Sequence, residues 1–219
     1  CIEGPKWCGK TWTSAMHSAS QIFIGDPSGN SQNRKMAELA PDLVLQGKNP
    51  RLIDEWQEVP TIWDAVRYKV DQTPVKGQFI LTGSATPNHK GIFHSGAGRI
   101  GRLRMHPMSL YESSDSTGQV SLENLCKGKL SPVFTGEVSL EKLIQMIVRG
   151  GWPGAIDMNE KQSSILANEY LNAVIDDDVY HIDGIKRNIM KMKLLLKSLA
   201  RNESTTVTNK TLKNDIKEI

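Results

Sequence analysis

The sequence predicts an α/β fold, in which a parallel sheet is flanked by helices and followed by a smaller helical region. Three observations lead to this prediction. A glycine-containing segment, residues 4–11, opens the chain, and segments of this kind join a strand to a helix. An apolar run that begins after Arg51 leads into Asp54 and Glu55, as at the end of a buried strand. After Leu140 the apolar residues recur at helical spacing instead.

Composition bounds the class of protein. The chain has 219 residues, a formal net charge of +3 and 38% hydrophobic residues, which suits a folded chain with a buried core. This charge is too small to indicate nucleic-acid binding by itself. No run approaches the ~18 apolar residues that cross a bilayer, so we expect no membrane partner. The three cysteines, Cys1, Cys8 and Cys126, form no C-x-x-C pair, which favours a reducing cytoplasm.

Residues 4–11 follow the pattern G-x-x-x-x-G-K-S/T, which is typical of phosphate-binding loops. The backbone N–H groups of such a loop surround the β-phosphate of a nucleotide, and the following helix adds a favourable dipole. We expect Lys10 to reach the β- and γ-phosphates and the hydroxyl of Thr11 to hold Mg²⁺. The predicted nucleotide-binding residues are Gly4, Pro5, Lys6, Trp7, Cys8, Gly9, Lys10, Thr11 and Trp12.

The two ends of the chain lead to a separate expectation. Only three residues precede Gly4, whereas a loop of this kind follows a strand of about five or six residues. Residues 214–219 contain no Gly or Pro that would stop a helix. We therefore expect a fragment of a longer protein.

Beyond the loop, the pattern predicts a helix that reaches Ala19, a strand over 21–25 and a short helix over 34–39. The next strand ends in Asp54 and Glu55, in the form of a Walker B strand. Asp54 can hold Mg²⁺, and Glu55 can orient and polarise the attacking water. An apolar run before two carboxylates is usually structural. Its place some forty residues after the loop favours the catalytic interpretation here.

The following helix and strand add one candidate site. Residues 61–64 resemble a capping box, with Asp64 in place of Glu, and predict a helix over 61–70 with Ile62, Trp63, Val66 and Val70 on its buried face. A strand over 77–84 follows and ends in Ser84. Ser84 is our first candidate for contact with the attacking water or the γ-phosphate, and Thr82 is the second. A serine between a strand and a turn can also have no role.

An alternation of basic and apolar residues over 99–105 predicts an edge strand. Arg99 lies at its start, where an arginine finger would reach the γ-phosphate bound by a neighbouring subunit. This position predicts a homo-oligomer through Arg99, and an exposed loop arginine is the alternative. Arg102 and Arg104 are interpreted as charges on the face of the strand.

The rest of the chain is interpreted as a linker over 113–138 and a helical region over 139–219. Helices are predicted over 140–148, 165–179, 185–199 and 210–216, with a structured turn over 150–154. Successive helical residues point about 100° apart, so three consecutive acidic residues, 176–178, indicate a solvated surface rather than a metal site.

The third of these helices carries a basic face, made of Lys186, Lys193, Lys197 and Arg201. Helix, turn and helix at this spacing resemble the first half of a winged helix. The basic face can contact DNA phosphates, and a merely solvated face is the simpler interpretation.

Six segments, in this order, resemble the uncharacterised bacterial and archaeal ATPases of the AAA+ superfamily. They are residues 4–11, 51–60 (RLIDEWQEVP), 77–84, 96–99, 107–112 and 150–153. The resemblance implies a P-loop NTPase sheet with strand order 5-1-4-3-2, an ATPase core over 1–112, and a helical lid or partial winged-helix region over 139–219. It also implies a nuclease-like C-terminal domain, which we expect to lie beyond Ile219.

The leading hypothesis is therefore ATP binding and Mg²⁺-dependent hydrolysis by an ATPase of unknown cellular target, with Lys10, Glu55, Ser84 and Arg99 as catalytic residues. Thr11 and Asp54 would hold the metal. The alternative is a nucleotide-gated module that binds DNA or a protein through its helical region and turns over little ATP. A nucleotide kinase fits less well, because such kinases usually have no glutamate directly after the metal-binding aspartate.

Overall fold

The computed structural model describes residues 1–73, 75–84, 92–129, 132–134, 136–180 and 184–217. The chain divides into two compact units, Cys1–Ser164 and Ile165–Ile219. Among the described residues, none of the helices is both long enough and apolar enough to span a bilayer.

The first unit alternates strands with helices. Its strands are β1 (Ile2–Gly4), β2 (Ser20–Phe23), β3 (Arg51–Asp54), β4 (Phe79–Ser84) and β5 (Leu103–Arg104). Its helices are α1 (Lys10–Met16), α2 (Ser28–Leu39), α3 (Pro41–Val44), α4 (Thr61–Gln72), α5 (Leu122–Cys126) and α6 (Leu140–Arg149), and α7 (Glu160–Ala173) begins in it. Short 3₁₀ turns lie at Trp56–Glu58 and Pro153–Ala155.

The described strands form one parallel sheet in the order β2-β3-β4-β1-β5. This is the predicted order, 5-1-4-3-2, counted from the other edge, so the predicted α/β sheet is confirmed. The register pairs Ile53 with Ile22 on one side and with Leu81 on the other, and it pairs Gly4 with Ser84. Because the strands are parallel, the carboxyl ends of β1, β3 and β4 lie at one edge of the sheet.

A buried apolar core holds α4 against the sheet. Ile53 and Leu81 are at most 1% exposed on the sheet side, and Ile62, Trp63 and Val66 are at most 2% exposed on α4. Burying each such side chain contributes about 1.5–3 kcal/mol. The predicted buried face of α4 is confirmed, with Val70 packed at its margin.

Helix α2 begins earlier than predicted. Its first residue is Ser28, although residues 26–30 suggested a break and residue 34 a start. Pro27 occupies the N-cap position with φ −73°, a value that suits a helix start. Pro27 therefore starts the helix, and the break that the sequence suggested over 26–30 is shorter than expected.

The predicted capping box at residues 61–64 is wrong. The N-cap residue of α4 is Pro60, and no side chain caps this helix end. The carboxylate of Asp64 instead accepts a hydrogen bond of 2.9 Å from the backbone N–H of Phe93 and lies 2.9 Å from the ring nitrogen Nδ1 of His94. Asp64 thus fixes the segment that leads towards β5.

Strand β5 lies at the edge of the sheet, as predicted, but has only two residues. The backbone N–H groups of Arg99 and Ile100 both donate to the carbonyl of Gly96, so a turn occupies the first part of the predicted strand. The predicted linker over 113–138 contains α5, and the side chain of Ser121 caps it by accepting from the N–H of Asn124 at 3.1 Å.

The second unit contains the end of α7, a π-helical turn at Val174–Asp178, α8 (Ile189–Arg201) and α9 (Asn209–Lys217). Helix α8 starts four residues later than predicted, because Asn188 caps it by accepting from the N–H of Lys191. Lys186 consequently lies before the helix, not on its predicted basic face. Asp215 of α9 joins the two helices, since it accepts from Ser198 at 2.5 Å and from Arg201 at 2.7 Å.

Candidate active site

The segment 4–11, here named the glycine loop, leaves the carboxyl end of β1 and ends in the first turn of α1. Gly9 has φ +95°, which L-residues with a side chain rarely adopt. A Cβ atom at this position would lie 3.5 Å from Cγ of Pro153 and 3.6 Å from Cε of Met105. Those two side chains therefore lie against the loop at Gly9.

The other predicted nucleotide-binding residues differ in exposure. Cys8 is fully buried, whereas Trp7 is 45% exposed and has φ +64°. Trp12 is 76% exposed on the first turn of α1. The loop therefore presents its backbone and two tryptophans at the carboxyl edge of the sheet.

Lys10 points into the glycine loop. Its side chain is almost buried, and its ammonium group donates to the carbonyls of Gly4 at 3.1 Å and Pro5 at 2.8 Å. Burying a charge is costly unless it is hydrogen-bonded, and these two carbonyls supply the bonds. The ammonium group is thus held at the centre of the loop.

Asp54, at the end of β3, accepts two hydroxyl groups. Thr11 Oγ1 donates to Asp54 Oδ1 at 2.8 Å, and Thr82 Oγ1 donates to the same oxygen. Both Asp54 and Thr82 are buried, so the fold brings three oxygen atoms from β3, β4 and α1 together.

Glu55 follows in a strained conformation, with φ 55° and ψ 45°. A left-handed conformation costs a non-glycine residue about 1–2 kcal/mol and is more common at functional sites. The side-chain amide of Gln57 donates to Oε2 of Glu55. Burial raises the pKa of the Glu55 carboxyl, while the bond from Gln57 and the charge of Lys10 lower it. The carboxyl group therefore lies within the electrostatic reach of Lys10.

Two further predicted residues lie in different places. Ser84 ends β4 opposite Gly4, and its side chain lies outside the described residues. Arg99 lies towards the amino ends of the strands, away from the glycine loop. The carbonyl of Gly101, two residues after Arg99, accepts a hydrogen bond from the backbone nitrogen of Cys1, which precedes β1. Its guanidinium group donates to Asp71 at 2.8 Å. The structure therefore does not bring Arg99 to the glycine loop of its own chain.

The oxygen atoms at Thr11 and Asp54 fit a magnesium ion. Mg²⁺ prefers oxygen ligands and is usually held by one or two carboxylates together with substrate phosphates. Within the described ranges, no group of three or more His, Cys, Asp and Glu side chains is placed to hold a metal by itself. A metal at Asp54 would thus need ligands from a phosphate or from water.

Comparison with known proteins gives the family. The AAA domain family matches residues 1–114, which is more than half of the chain and includes the sheet and the glycine loop. The chain belongs to the AAA domain family. The predicted resemblance to AAA+ ATPases is confirmed at this level, and the family points to a nucleotide-binding, ATPase-like function. Residues 140–218 match a second family, a domain of unknown function (DUF8612).

The curated relatives that this AAA chain matches are two uncharacterised proteins. Two mycobacterial proteins, Mb2031c of Mycobacterium bovis and Rv2008c of Mycobacterium tuberculosis, are each 28% identical over 139 residues. The match covers 61% of this chain and 30% of each relative, so the chain spans about a third of their length. Among solved structures, the FIGL-1 AAA domain in complex with ADP is similar with 15% identity and a TM-score of 0.36. That match covers 97% of this chain and 74% of the other.

Sequence reasoning missed three residues that line the site of this AAA chain. Gln57 contacts Glu55, and Met105 and Pro153 lie against the glycine loop. Gln57 follows Glu55 by two residues, and its side chain reaches Glu55 across the left-handed turn at that residue. Pro153 belongs to the predicted structured turn at 150–154, and this turn was the sequence feature that pointed to it.

Proposed function

We propose that the chain binds ATP in the glycine loop and hydrolyses it with the help of Mg²⁺. The observation that carries this proposal is the hydrogen bond between Thr11 and Asp54, which joins the end of the glycine loop to the end of β3. A hydroxyl and a carboxylate at this place are the two protein oxygens that a magnesium-nucleotide site needs.

Lys10 would bind the β- and γ-phosphates. Its ammonium group already lies inside the loop, where the carbonyls of Gly4 and Pro5 hold it. A phosphate would offer stronger, charge-assisted hydrogen bonds than these two neutral carbonyls. Lys10 would therefore exchange carbonyl partners for phosphate oxygens when the nucleotide binds.

Thr11 and Asp54 would hold the magnesium ion, and Thr82 would fix the carboxylate of Asp54. The ion, when bound, would neutralise charge on the phosphates and on the ADP that leaves when water displaces it from the γ-phosphorus. Asp54 and Thr82 are both buried in neighbouring strands, β3 and β4, so the sheet holds this carboxylate in place.

Glu55 would orient the attacking water and accept its proton. Its pKa is raised by burial, and a base works best when its pKa approaches the working pH. Ser84 remains the candidate that contacts the water or the γ-phosphate, and Arg99 would act on the site of a neighbouring subunit.

The three free thiols, one of them exposed, favour a cytoplasmic location.

The test is steady-state release of phosphate from ATP with Mg²⁺, for the wild type and for Lys10→Ala. Lys35→Ala, an exposed lysine on α2, is the matched control. We expect turnover by the wild type and the control and none by Lys10→Ala. Equal turnover in all three would reject the proposal, because activity would then come from elsewhere.

A second candidate function is nucleic-acid binding by the helical region, gated by the nucleotide. Charge is unevenly distributed: residues 184–217 hold nine Lys or Arg and two Asp or Glu, a net charge of +7, whereas residues 1–183 hold 18 and 21, a net charge of −3. Asp215 is turned towards Ser198 and Arg201, so it does not neutralise the exposed Lys193 and Lys197. The alternative is that the helical region binds a protein instead of a nucleic acid.

The test is binding to a labelled DNA duplex at several salt concentrations. We expect the logarithm of the affinity to fall linearly with that of the salt concentration, and the slope to shrink by about two when Lys193 and Lys197 are both changed to Gln. Lys127→Gln with Lys129→Gln is the control. No binding at low salt would reject this candidate and leave the ATPase proposal intact.

A further inference from the structure

The turn after β3 directs Glu55 in an unusual way. The backbone of Glu55 is left-handed, and the 3₁₀ turn Trp56–Glu58 follows at once. Trp56 is fully buried and stacks against Trp63 at 4.8 Å between ring centroids. The buried indole therefore anchors the turn, and the strained residue is the one that carries the candidate catalytic carboxylate.

Gln57 uses only one end of its amide. Nε2 donates to the carboxylate of Glu55, whereas Oε1 is buried and has no partner among the described residues. A glutamine that served only packing would gain by pairing both ends or by turning its oxygen to water. The donor end of this amide is therefore committed to the carboxylate of Glu55.

Strand β4 makes room for this amide. A Cβ atom at Gly83 would lie 2.6 Å from Oε1 of Gln57 and 3.0 Å from Nε1 of Trp56, so a side chain there would have to displace the amide. The preceding residue, Thr82, donates to Asp54. Neighbouring positions on β4 therefore serve the two carboxylates: Thr82 binds Asp54, and Gly83 admits the side chain that binds Glu55.

We propose that Gln57 is a positioning residue, which holds the carboxylate of Glu55 in the orientation that activates the water. This inference rests on the proposed ATPase function and adds a residue to it. Gln57 itself touches neither water nor nucleotide in this role. Its effect passes through Glu55 alone.

The test is a double-mutant cycle of Gln57→Ala and Glu55→Gln, with kcat, KM and the Kd for ATP measured for each variant. A hydrogen bond to a charged group corresponds to roughly a 10- to 150-fold effect, so Gln57→Ala should lower kcat by about that factor and leave KM and Kd within about twofold. In the Glu55→Gln background, Gln57→Ala should cause no further loss. Loss in both backgrounds, or kcat of Gln57→Ala within twofold of the wild type, would overturn the proposal.

Gly83→Ala is a second variant, because it pushes the amide away without removing it. It should lower kcat in the same way, and Gln119→Ala, an exposed glutamine far along the chain, should not. If Gly83→Ala does not fold, the double-mutant cycle still tests the positioning role of Gln57.

The results distinguish failure of the two proposals. Turnover that survives Lys10→Ala rejects the ATPase site and this inference with it. Turnover that depends on Lys10 and Glu55 but not on Gln57 rejects only the positioning role.

Discussion

The hydroxyl of Thr11 donates a hydrogen bond of 2.8 Å to the carboxylate of Asp54, a residue 43 positions further along the chain. The bond crosses from α1 to β3, and Thr82 of β4, the strand that lies between β3 and β1 in the sheet, donates to the same carboxylate oxygen. The parallel sheet therefore brings these side chains together, because it places the carboxyl ends of β1, β3 and β4 at one edge.

This bond makes Thr11 the first residue to test. We expect Thr11→Val, which keeps the shape but removes the hydroxyl, to weaken ATP binding in the presence of Mg²⁺ by about 10-fold, the worth of roughly 1–1.5 kcal/mol. Binding without Mg²⁺ should change little, and Thr11→Ser should behave as the wild type. Titration calorimetry with and without the metal measures both. An equal loss with and without Mg²⁺ would assign Thr11 to packing, and Thr13→Val is the control on the same helix.

Glu55→Gln should separate binding from hydrolysis. The change keeps the size and the bond partner but removes the base, and a general base contributes about 10²- to 10⁴-fold to a rate. We expect turnover to fall by at least about 100-fold while the Kd for ATP stays within about threefold. Single-turnover assays with radiolabelled ATP would show bound, uncleaved nucleotide. Glu58→Gln, an exposed residue paired with Arg34 at 3.0 Å, should turn over normally. Normal turnover by Glu55→Gln would remove Glu55 from the mechanism.

Sequence patterns predicted the strands because the glycine loop, the apolar runs and their polar ends are local signals, and the resemblance to AAA+ ATPases implied the order of those strands in the sheet. They did not predict where side chains return to the site. Asp64 was expected to cap α4, yet it binds the segment at Phe93, since that segment folds back over Trp63. Such contacts join residues about 30 positions apart, and local propensity carries no information on them.

The last two segments that carry the resemblance to AAA+ ATPases also come together only in the folded chain. The backbone N–H of Met108 donates to the carbonyl of Gly151 at 2.6 Å, so the segments 107–112 and 150–153 form one contact. The sequence predicted a structured turn over 150–154, but only the fold shows that this turn places Pro153 against the glycine loop.

Asp115 should make the first unit sensitive to acid. It accepts from Arg149 at 2.6 Å and from Ser113 at 2.7 Å, and these bonds lower its pKa from 3.8 to about 2. A lowered pKa contributes stability above pH 4 that is lost as the pH falls towards 2. We expect a contribution of about 1–2 kcal/mol after solvent screening. Urea unfolding between pH 7 and pH 2 should show a smaller loss for Asp115→Asn than for the wild type. Parallel curves for the two proteins would contradict the assignment.

The two stacked tryptophans should respond differently to the same change. The indole N–H of Trp63 donates to the carbonyl of His94 at 3.1 Å, whereas that of Trp56 is buried and unpaired among the described residues. Both rings are at most 1% exposed, so Trp→Phe removes a similar volume from each. We expect Trp63→Phe to lower the free energy of unfolding by about 1 kcal/mol more than Trp56→Phe. Urea unfolding measures both, and an equal loss would mean that the His94 bond contributes nothing.

Arg99 should act on the nucleotide site of a neighbouring subunit. It lies near the amino end of β1, whereas the glycine loop leaves the carboxyl end, and its guanidinium group is paired with Asp71 at 2.8 Å. An arginine finger is worth about 10³-fold or more in turnover. We expect Arg99→Ala to lose activity on that scale, the wild type to gain specific activity as its concentration rises, and Arg104→Ala to behave as the wild type.

Mixing two inactive variants distinguishes a finger from a structural arginine. Lys10→Ala binds no ATP but retains Arg99, whereas Arg99→Ala retains the glycine loop. In a mixed oligomer, a Lys10→Ala subunit can supply its arginine to the site of an Arg99→Ala subunit, so the mixture should recover part of the activity. The ion pair with Asp71 at 2.8 Å must open first, and Asp71→Asn should therefore not lower turnover. If the mixture stays inactive while Arg99→Ala alone still folds and binds ATP, Arg99 serves only to hold the turn before β5.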